Sequence, residues 1–426
     1  MNSCESPHAF EGNPAAAPFG WLLFTFNVIL LAYIATLGLF PIFFSKQLAT
    51  FYTTTPSNII FVSSYYYYAF TLFHIPAALL VDKYRTSFIV ITSLLLMALG
   101  LFLFAHSHTL ATAGLALVIL GAGSAPLFPH ALKCLADWFP PTTFAPRFGL
   151  LFMLILSLTF VDILSLKHVV QLSGWRSAFR FLSVTSLALA LIAFFFMRRL
   201  KEKYLTYFPT KERPLRPLFS HLFDSSQMWL IGLTVGISGV FYAFLSQWAL
   251  PVFTLAYQAS KAQGIFLVFM GNVGFGFGTF LFALITTRLK RRKLFICWGL
   301  AVAACVFVVL VYLPSLLPGF LVAIAVFLLG LALSAANLGY VIIHEQNGPQ
   351  ITATAIATVN LFHLIAIPIT GKITAVLTRI NTATEAVNLL EIESALSRIP
   401  IYFAAVFLLS FFIRETRAQQ FFPPEN

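Results

Sequence analysis

The chain has 426 residues, of which 59% are hydrophobic and only 9% charged, against roughly 45–50% and 25% in soluble domains. That composition excludes a soluble globular enzyme, a disordered chain and a disulfide scaffold. The net charge of +12 calls for no nucleic-acid partner, because Lys and Arg collect in the inward loops of membrane proteins.

About 20 apolar residues make one bilayer crossing. Apolar runs with turn signals between them predict twelve, at roughly 20–44, 58–81, 88–106, 110–135, 148–170, 177–197, 227–255, 263–286, 294–313, 319–343, 352–377 and 397–413. Before the first run the chain carries Glu5 and Glu11 and no Lys or Arg. It therefore lacks the basic region of a secretory signal, and the first run is expected to stay as a helix. An even count puts both termini on one side. With the termini inside, inward loops hold 17 of the 26 Lys and Arg residues and outward positions hold eight. That asymmetry predicts cytoplasmic termini.

The longest polar stretch, Arg198 to Asp224, contains seven basic residues and three prolines. It divides the chain into an N-terminal six-helix half (1–197), a cytoplasmic linker (198–225) and a C-terminal six-helix half (226–426). Between Asn381 and Arg398 apolar and acidic positions alternate, which predicts a short amphipathic helix on the outer surface. The four cysteines form no CxxC pair, so no disulfide framework or metal site is expected. Metalloprotease, nucleophile-elbow and phosphate-loop motifs are missing, and Glu391 and Glu393 fall in an outer loop. The reading is of a non-enzyme that needs no cofactor and no metal.

The halves resemble each other. After the second crossing the chain reads Ala78-LLV-Asp82-Lys83-Tyr84-Arg85, and after the eighth Ala283-LIT-Thr287-Arg288-Leu289-Lys290-Arg291-Arg292, an offset of 205 residues. Gly121 in the fourth crossing and Gly330 in the tenth are offset by 209. Near-equal offsets point to duplication, a construction of transporters whose substrate site lies at the repeat interface.

At these residues the sequence resembles the major facilitator superfamily across essentially the whole chain. The family's loop after its second helix runs G-x-x-x-D-(R/K)-x-G-x-(R/K)-(R/K). Asp82 and Lys83 match it, Ala78 and Arg85 replace its glycines, and Ser87 stands where a base is expected. In the second half Arg288, Arg291 and Arg292 match while Thr287 replaces the acid. Asp137-Trp138-Phe139-Pro140-Pro141 and Gly174-Trp175-Arg176 are further similar pieces. The string Tyr65-Tyr66-Tyr67-Tyr68-Ala69-Phe70, followed by His74-Ile75-Pro76-Ala77, resembles the branch that includes lysosomal dipeptide transporters and transporters of intracellular bacteria. Two departures bear on function. Leu117 replaces the arginine usual four residues before the fourth-helix glycine, which sets aside the standard proton-coupling arrangement. The fifth crossing lacks the G-P-x-x-G pattern of drug/proton antiporters.

The resemblance implies an all-α membrane protein of two pseudo-symmetric six-helix halves, working by alternating access in a bacterial inner membrane as a monomer. It places helices 1, 4, 7 and 10 around the cavity, with 2, 5, 8 and 11 beside them and 3, 6, 9 and 12 toward lipid. The residues agree. Side chains costly in hydrocarbon avoid the third, ninth and twelfth crossings. From them the candidate substrate-binding set is Asn27, Tyr67, His74, His130, Lys133, Asp162, Gln247, Asn337 and His363. Asp82, Lys83, Arg85, Asp137 and Arg147 form a candidate gating set, with Asp82 expected to pair with Lys83, Arg85 or Arg147. Lys133 and Asp137 are four apart and can pair along one helix face. Four consecutive tyrosines cover all faces of a helix, so one or two reach the cavity and the others pack. Asp162 is the one acid well inside a crossing.

The expected activity is transport of a small zwitterionic solute, an amino acid or a dipeptide, with protons as a candidate coupling ion. Proton-driven export of a polar metabolite or siderophore is the alternative. A transport-dead membrane sensor or assembly factor is a third. The expected partners are a small-molecule substrate and the lipid bilayer.

Overall fold

A computed structural model describes residues 17–84, 86–204, 222–314, 317–348, 351–377 and 396–420. The described regular elements are all helical. Nine of these helices are long and apolar enough to cross a membrane. One of the nine, Pro141–Tyr204, joins the fifth and sixth crossings through Gly174, whose φ of 79° breaks the helix. That left-handed backbone is open to glycine and strained for other residues. The second crossing, Pro56–Lys83, is long enough but polar, with its tyrosine string, His74 and Pro76. The twelfth, Arg398–Ser410, is apolar but short. Together these account for twelve crossings. The outer amphipathic helix expected at 381–398 and most of the linker lie outside the described residues.

Contacts divide the chain into two compact units. The first takes 1–140, 157–219 and 349–357; the second takes 141–156, 220–348 and 358–426. Each unit thus borrows a short helical segment from the opposite half of the sequence.

In the first unit the crossings begin where the sequence caps them. Thr55 accepts the Asn58 N–H ahead of Pro56, a residue suited to a first turn because it has no N–H to satisfy. Thr109 and Thr112 form a reciprocal cap for the fourth crossing. That crossing runs Leu110–Ser124 and resumes as Leu127–Trp138, interrupted beside Pro126. The tenth crossing, in the second unit, is interrupted at the repeat-related place. Its segments Gly319–Leu333 and Leu338–Gln346 are joined by a 3-10 turn, Ser334–Asn337.

The repeat glycines explain themselves by close approach. A Cβ on Gly121 would collide with the Tyr66 carbonyl, and one on Gly330 with the Gly271 carbonyl. The second crossing therefore lies directly on the fourth, and the eighth on the tenth. The tyrosines divide accordingly. Tyr66 is buried against Gly38 and donates its hydroxyl to the Ile34 carbonyl at 3.2 Å. Tyr65 lies on Gly114, Tyr67 on Gly38, and Tyr68 is 49% exposed.

At the opposite end of the first unit, the Arg176 guanidinium lies 4.0 Å over the Phe51 ring. It donates to the Ala105 and Ser107 carbonyls at 3.2 and 3.0 Å, closing the end of the third crossing, Thr86–Ala105. Phe51 ends a short helix, Ser45–Phe51. Tyr52 beside it bonds Ser107 at 2.5 Å. Burial pushes the Tyr52 phenol up, opposed by the Ser107 bond and the Arg176 charge.

In the second unit the seventh crossing runs Ser226–Ala243, then a π-helical turn Phe244–Trp248, then Ala249–Ala256. Pro251 has no N–H to return to Gln247, and a ring in a helix interior disturbs the preceding turn. The eighth crossing, Lys261–Leu289, starts at a Ser260–Gln263 capping box and ends at Lys290 with φ 55°. The ninth is Arg292–Tyr312. The eleventh, Thr352–Leu377, has its first residues in the first unit.

Candidate functional site

The best-connected polar group of the first unit is at the end of the second crossing. The Asp82 side chain is fully buried and lies 3.6 Å from Lys133 Nζ. Lys133 is itself 3.5 Å from Asp137, one turn along its own helix. Asp82 also accepts the Ala353 N–H at 3.2 Å, the Thr354 N–H at 2.7 Å and the Thr354 hydroxyl at 2.7 Å. Those donors belong to the first turn of the eleventh crossing, where helix N–H groups lack intrahelical partners and favour an anion. Ala78, Val81, Ile89, Ala353 and Ala357 form a small apolar cluster beside the carboxylate. Ala78 and Val81 on the second crossing and Ala353 and Ala357 on the eleventh are small or branched, which lets the two backbones come close enough for the acid to reach.

Among the described residues of the first unit the base that meets Asp82 is Lys133, where the family match had pointed to Lys83, Arg85 or Arg147. Lys83 instead stands exposed, 5.3 Å over the Tyr84 ring. Arg85 lies outside the described residues, and Arg147 belongs to the second unit, donating to the Thr143 carbonyl at 3.4 Å. The physical reason is the surroundings. Lys83 points to solvent at a helix end, whereas Lys133 is held among buried side chains and gains from two carboxylates. The structure thus joins Lys133, a candidate for the substrate set, to Asp82 and Asp137 of the candidate gating set.

Asp162 is in the fifth crossing and half-buried. It accepts the Thr36 hydroxyl at 3.3 Å, and among the described residues it has no ion pair. The single Thr36 hydroxyl hydrogen is shared with the Ala32 carbonyl at 2.9 Å, which Thr159 also approaches at 3.5 Å. Nearby on the first and sixth crossings, the Tyr33 hydroxyl bonds the Leu182 carbonyl at 2.6 Å and Ser186 at 2.8 Å.

Other candidates of this unit are more deeply placed. His130 is fully buried with Cys134 Sγ 3.6 Å from its ring. Asn27 is 3% exposed and donates to the Leu23 carbonyl of its own helix at 2.9 Å. His74 is fully buried, stacked on Phe70 and bonded to the Ala125 backbone. Tyr67 is half-buried. The first unit thus brings together Asp82, Lys133 and Asp137, and leaves Asp162 apart from them with its hydroxyl neighbours.

In the second unit, Asn337 donates to the Thr279 hydroxyl at 3.0 Å, tying the tenth crossing to the eighth. His363 Nδ1 lies 2.8 Å from the Ser238 hydroxyl, which joins the eleventh to the seventh. Tyr340 donates to Asn360 at 2.6 Å. The side chain of Gln247 lies outside the described residues. Trp248 is buried, and its indole N–H has no partner among the described residues.

A second ionic cluster, invisible to the spacing argument, stands at the loop end of this unit. Arg292 is 1% exposed. Its guanidinium donates to Glu345 three times, at 2.9, 2.9 and 2.6 Å, and to the Thr286 hydroxyl at 2.9 Å. Glu345 also accepts the Thr416 hydroxyl. Glu415 accepts the N–H groups of Arg292 and Lys293 at 2.9 Å each, an anion on the first turn of the ninth crossing. The run of bases at 288–293 was a signal for this cluster, but the acids came from 53 and 123 residues away. Among the described residues no group of three or more His, Cys, Asp and Glu side chains could hold a metal ion.

These helices, in two units with buried polar groups inside each, define an integral multi-pass membrane protein. The chain belongs to the Major Facilitator Superfamily, whose family model matches residues 22–371. It is 26% identical over 219 residues to the uncharacterized transporter YybO of Bacillus subtilis (strain 168), covering 47% of this chain. The match spans about half the length of that relative, 49%. The fold is similar to that of the proton:xylose symporter XylE bound to 6-bromo-6-deoxy-D-glucose, with a TM-score of 0.71, 12% identity, and 96% and 98% of the two chains covered. It is also similar to the E. coli fucose:proton symporter FucP, with a TM-score of 0.65, 18% identity, and 93% and 98% covered. Family and fold are thus those of the major facilitator type.

Proposed function

We propose that this protein is a secondary transporter that carries a small zwitterionic organic solute, an amino acid or a dipeptide, by alternating access. The two six-helix halves rock about a midplane site in a bacterial inner membrane, both termini are cytoplasmic, and the protein acts as a monomer. The resemblance of the Tyr65–Ala77 region to the branch with lysosomal dipeptide transporters supports the cargo class.

The observation that carries the reading is Asp162. It is a half-buried acid deep in the fifth crossing with hydroxyl neighbours and no ion pair among the described residues. An unpaired acid costs about 2.5–3.5 kcal/mol near the centre of a bilayer, so a cation must offset it during the cycle. The remaining candidates, Asn27, Tyr67, His74, His130, Asn337 and His363, supply hydrogen-bonding groups suited to a polar cargo.

Asp82, with Lys133 and Asp137, is the gate of the proposed cycle. Its carboxylate holds the start of the eleventh crossing by three hydrogen bonds that must break if that helix moves away. Lys83, Arg85 and Arg147 complete the proposed gating set. The test is flux in liposomes of labelled amino acids and dipeptides. Saturable, stereospecific uptake supports the reading, and a protein that folds but moves none of them refutes it.

A further inference from the structure

At the loop end of the second unit, the chain leaving the twelfth crossing is fixed to the start of the ninth. Glu415 spans the Arg292 and Lys293 N–H groups, and Lys293 donates to the Phe411 carbonyl. Gln227 accepts the Arg414 N–H at 2.7 Å and donates to the Phe412 carbonyl at 3.1 Å. Those bonds bring Arg414 near Arg291, since each is the chain neighbour of a residue in the Glu415–Arg292 bond. Both arginines are exposed, and among the described residues neither is in an ion pair. Arg288, Lys290 and Arg417 are exposed at the same end. Of the described acids there, Glu415 is committed to N–H groups and Glu345 to Arg292 and Thr416. Asp224, ahead of the seventh crossing, is the exposed acid that stands against these bases.

Deeper in, the ninth and twelfth crossings meet through Cys297 and Ser410, 3.1 Å apart, and through the Phe307 and Phe403 rings, 5.5 Å apart. The ninth leaves the loop end and the twelfth arrives at it, so the pair is antiparallel. One residue past Cys297 and one past Ser410 is a turn of about 100° on each helix, and in an antiparallel pair the two turns lead to the same side. Trp298 and Phe411 therefore flank one groove, and they are 64% and 50% exposed. Leu294, one turn before Trp298, and Phe407, its ring 5.0 Å from that of Phe411, continue the walls.

We propose that this groove binds an anionic glycerophospholipid such as phosphatidylglycerol, with its phosphodiester between Arg291 and Arg414 and an acyl chain along Trp298 and Phe411. Each base near a membrane surface favours an anionic headgroup by about fivefold in affinity. Arginine suits a phosphate because its planar fork can donate to two oxygens at once. A soluble anion would use the arginines and leave the aromatic walls uncovered, and a neutral lipid would cover the walls and leave the charge unmet. An anionic lipid uses both. The bonds to Gln227 and Lys293 hold the Phe411–Arg414 segment in place, so the site is formed before the lipid enters it.

Tryptophan quenching by lipids brominated on their acyl chains tests this on the purified full-length chain in phosphatidylcholine nanodiscs. Brominated phosphatidylglycerol should quench with an apparent affinity at least about fivefold above that of brominated phosphatidylcholine. The excess should vanish in Trp298→Phe, which removes the reporter, and in the double variant Arg291→Gln with Arg414→Gln. Lys46→Gln with Lys261→Gln, which removes the same charge at the opposite ends of crossings, should keep it. Equal quenching by the two lipids overturns the inference. An excess that survives in Trp298→Phe or in the double arginine variant does so too, as does one lost equally in the lysine pair. Glycerol 3-phosphate added at constant ionic strength should leave the excess in place; its loss would assign the arginines to a soluble anion and overturn the lipid.

Discussion

The first half of the chain fixes the end of its second crossing with an acid, and the second half fixes the start of its ninth crossing with a base. At an offset of 205 residues Asp82 corresponds to Thr287 and Ser87 to Arg292. At an offset of 209, Glu345 on the tenth crossing corresponds to Ala136, next to Asp137, on the fourth. Both units thus join the loop region after one helix to the end of another through an ion pair, with the signs exchanged. The exchange has a consequence. Asp82 has lone pairs left over for the first turn of the eleventh crossing, whereas the Thr287 hydroxyl turns back to the Ala283 carbonyl of its own helix at 2.7 Å. The second cluster instead spends its acids within its own unit, on Arg292 and on the start of the ninth crossing. Under the proposed cycle the first tie is the one that releases and the second the one that holds.

This difference can be broken by substitution. The largest effect is expected at Glu345→Ala, because Arg292 and Glu345 have side chains only 2% and 5% exposed. Removing one partner of such a pair costs about 3–5 kcal/mol, read as loss of the monodisperse folded fraction on heating. The double variant Arg292→Met with Glu345→Leu should recover much of that loss, since an apolar pair can replace a buried ionic one. Lys133→Met should cost less, about 1–3 kcal/mol, because Asp82 retains three hydrogen-bond donors. Equal losses at the two sites would show that the tie of the first unit is as permanent as that of the second.

Thr354→Val removes one donor to Asp82 and should cost about 1 kcal/mol in thermal unfolding. Transport should respond more than stability does, because the bond would be broken in every cycle. Asp82→Asn should act in the same way, slowing flux while the folded fraction survives. Wild-type flux in both would remove Asp82 from the gate. The smallest effect is expected at Asp137→Asn. Its side chain is 24% exposed and its contact with Lys133 is 3.5 Å, so the loss should not exceed about 1 kcal/mol.

Much of the fold was legible in the sequence, because apolar length and turn residues report directly on crossings. The bounds of the eighth and eleventh helices, the repeat glycines and the Lys133–Asp137 pair all follow from local spacing. The Gly271–Gly278 run reads as close helix packing, and the eighth crossing does lie on the tenth there. What local spacing could not supply is pairing across helices. Lys133 meets Asp82 only because the second crossing is pressed on the fourth, and nothing in the loop motif distinguishes Lys133 from Lys83. The donors at Ala353 and Thr354 are 271 and 272 residues from the acid and are mostly backbone, which carries no sequence signature. The interruptions at Pro126, at Ser334–Asn337 and at Phe244–Trp248 were likewise hidden, since apolar runs continue through them. Asp162 was the easiest candidate to find, because an acid inside an apolar helix stands out by cost alone. Its neighbours Thr36 and Thr159 did not stand out, because threonine in a crossing ordinarily bonds its own helix.

The central claim is that this is a transporter of small zwitterionic solutes whose cycle turns on Asp162. The direct test is uptake into proteoliposomes of a panel of labelled amino acids and dipeptides, measured with wild type and with Asp162→Asn at matched amounts of folded protein. The account predicts saturable uptake of at least one zwitterion by wild type and loss of at least about 90% of that uptake in the variant, a tenfold fall that corresponds to about 1.4 kcal/mol. Uptake that is equal in the two proteins would contradict it.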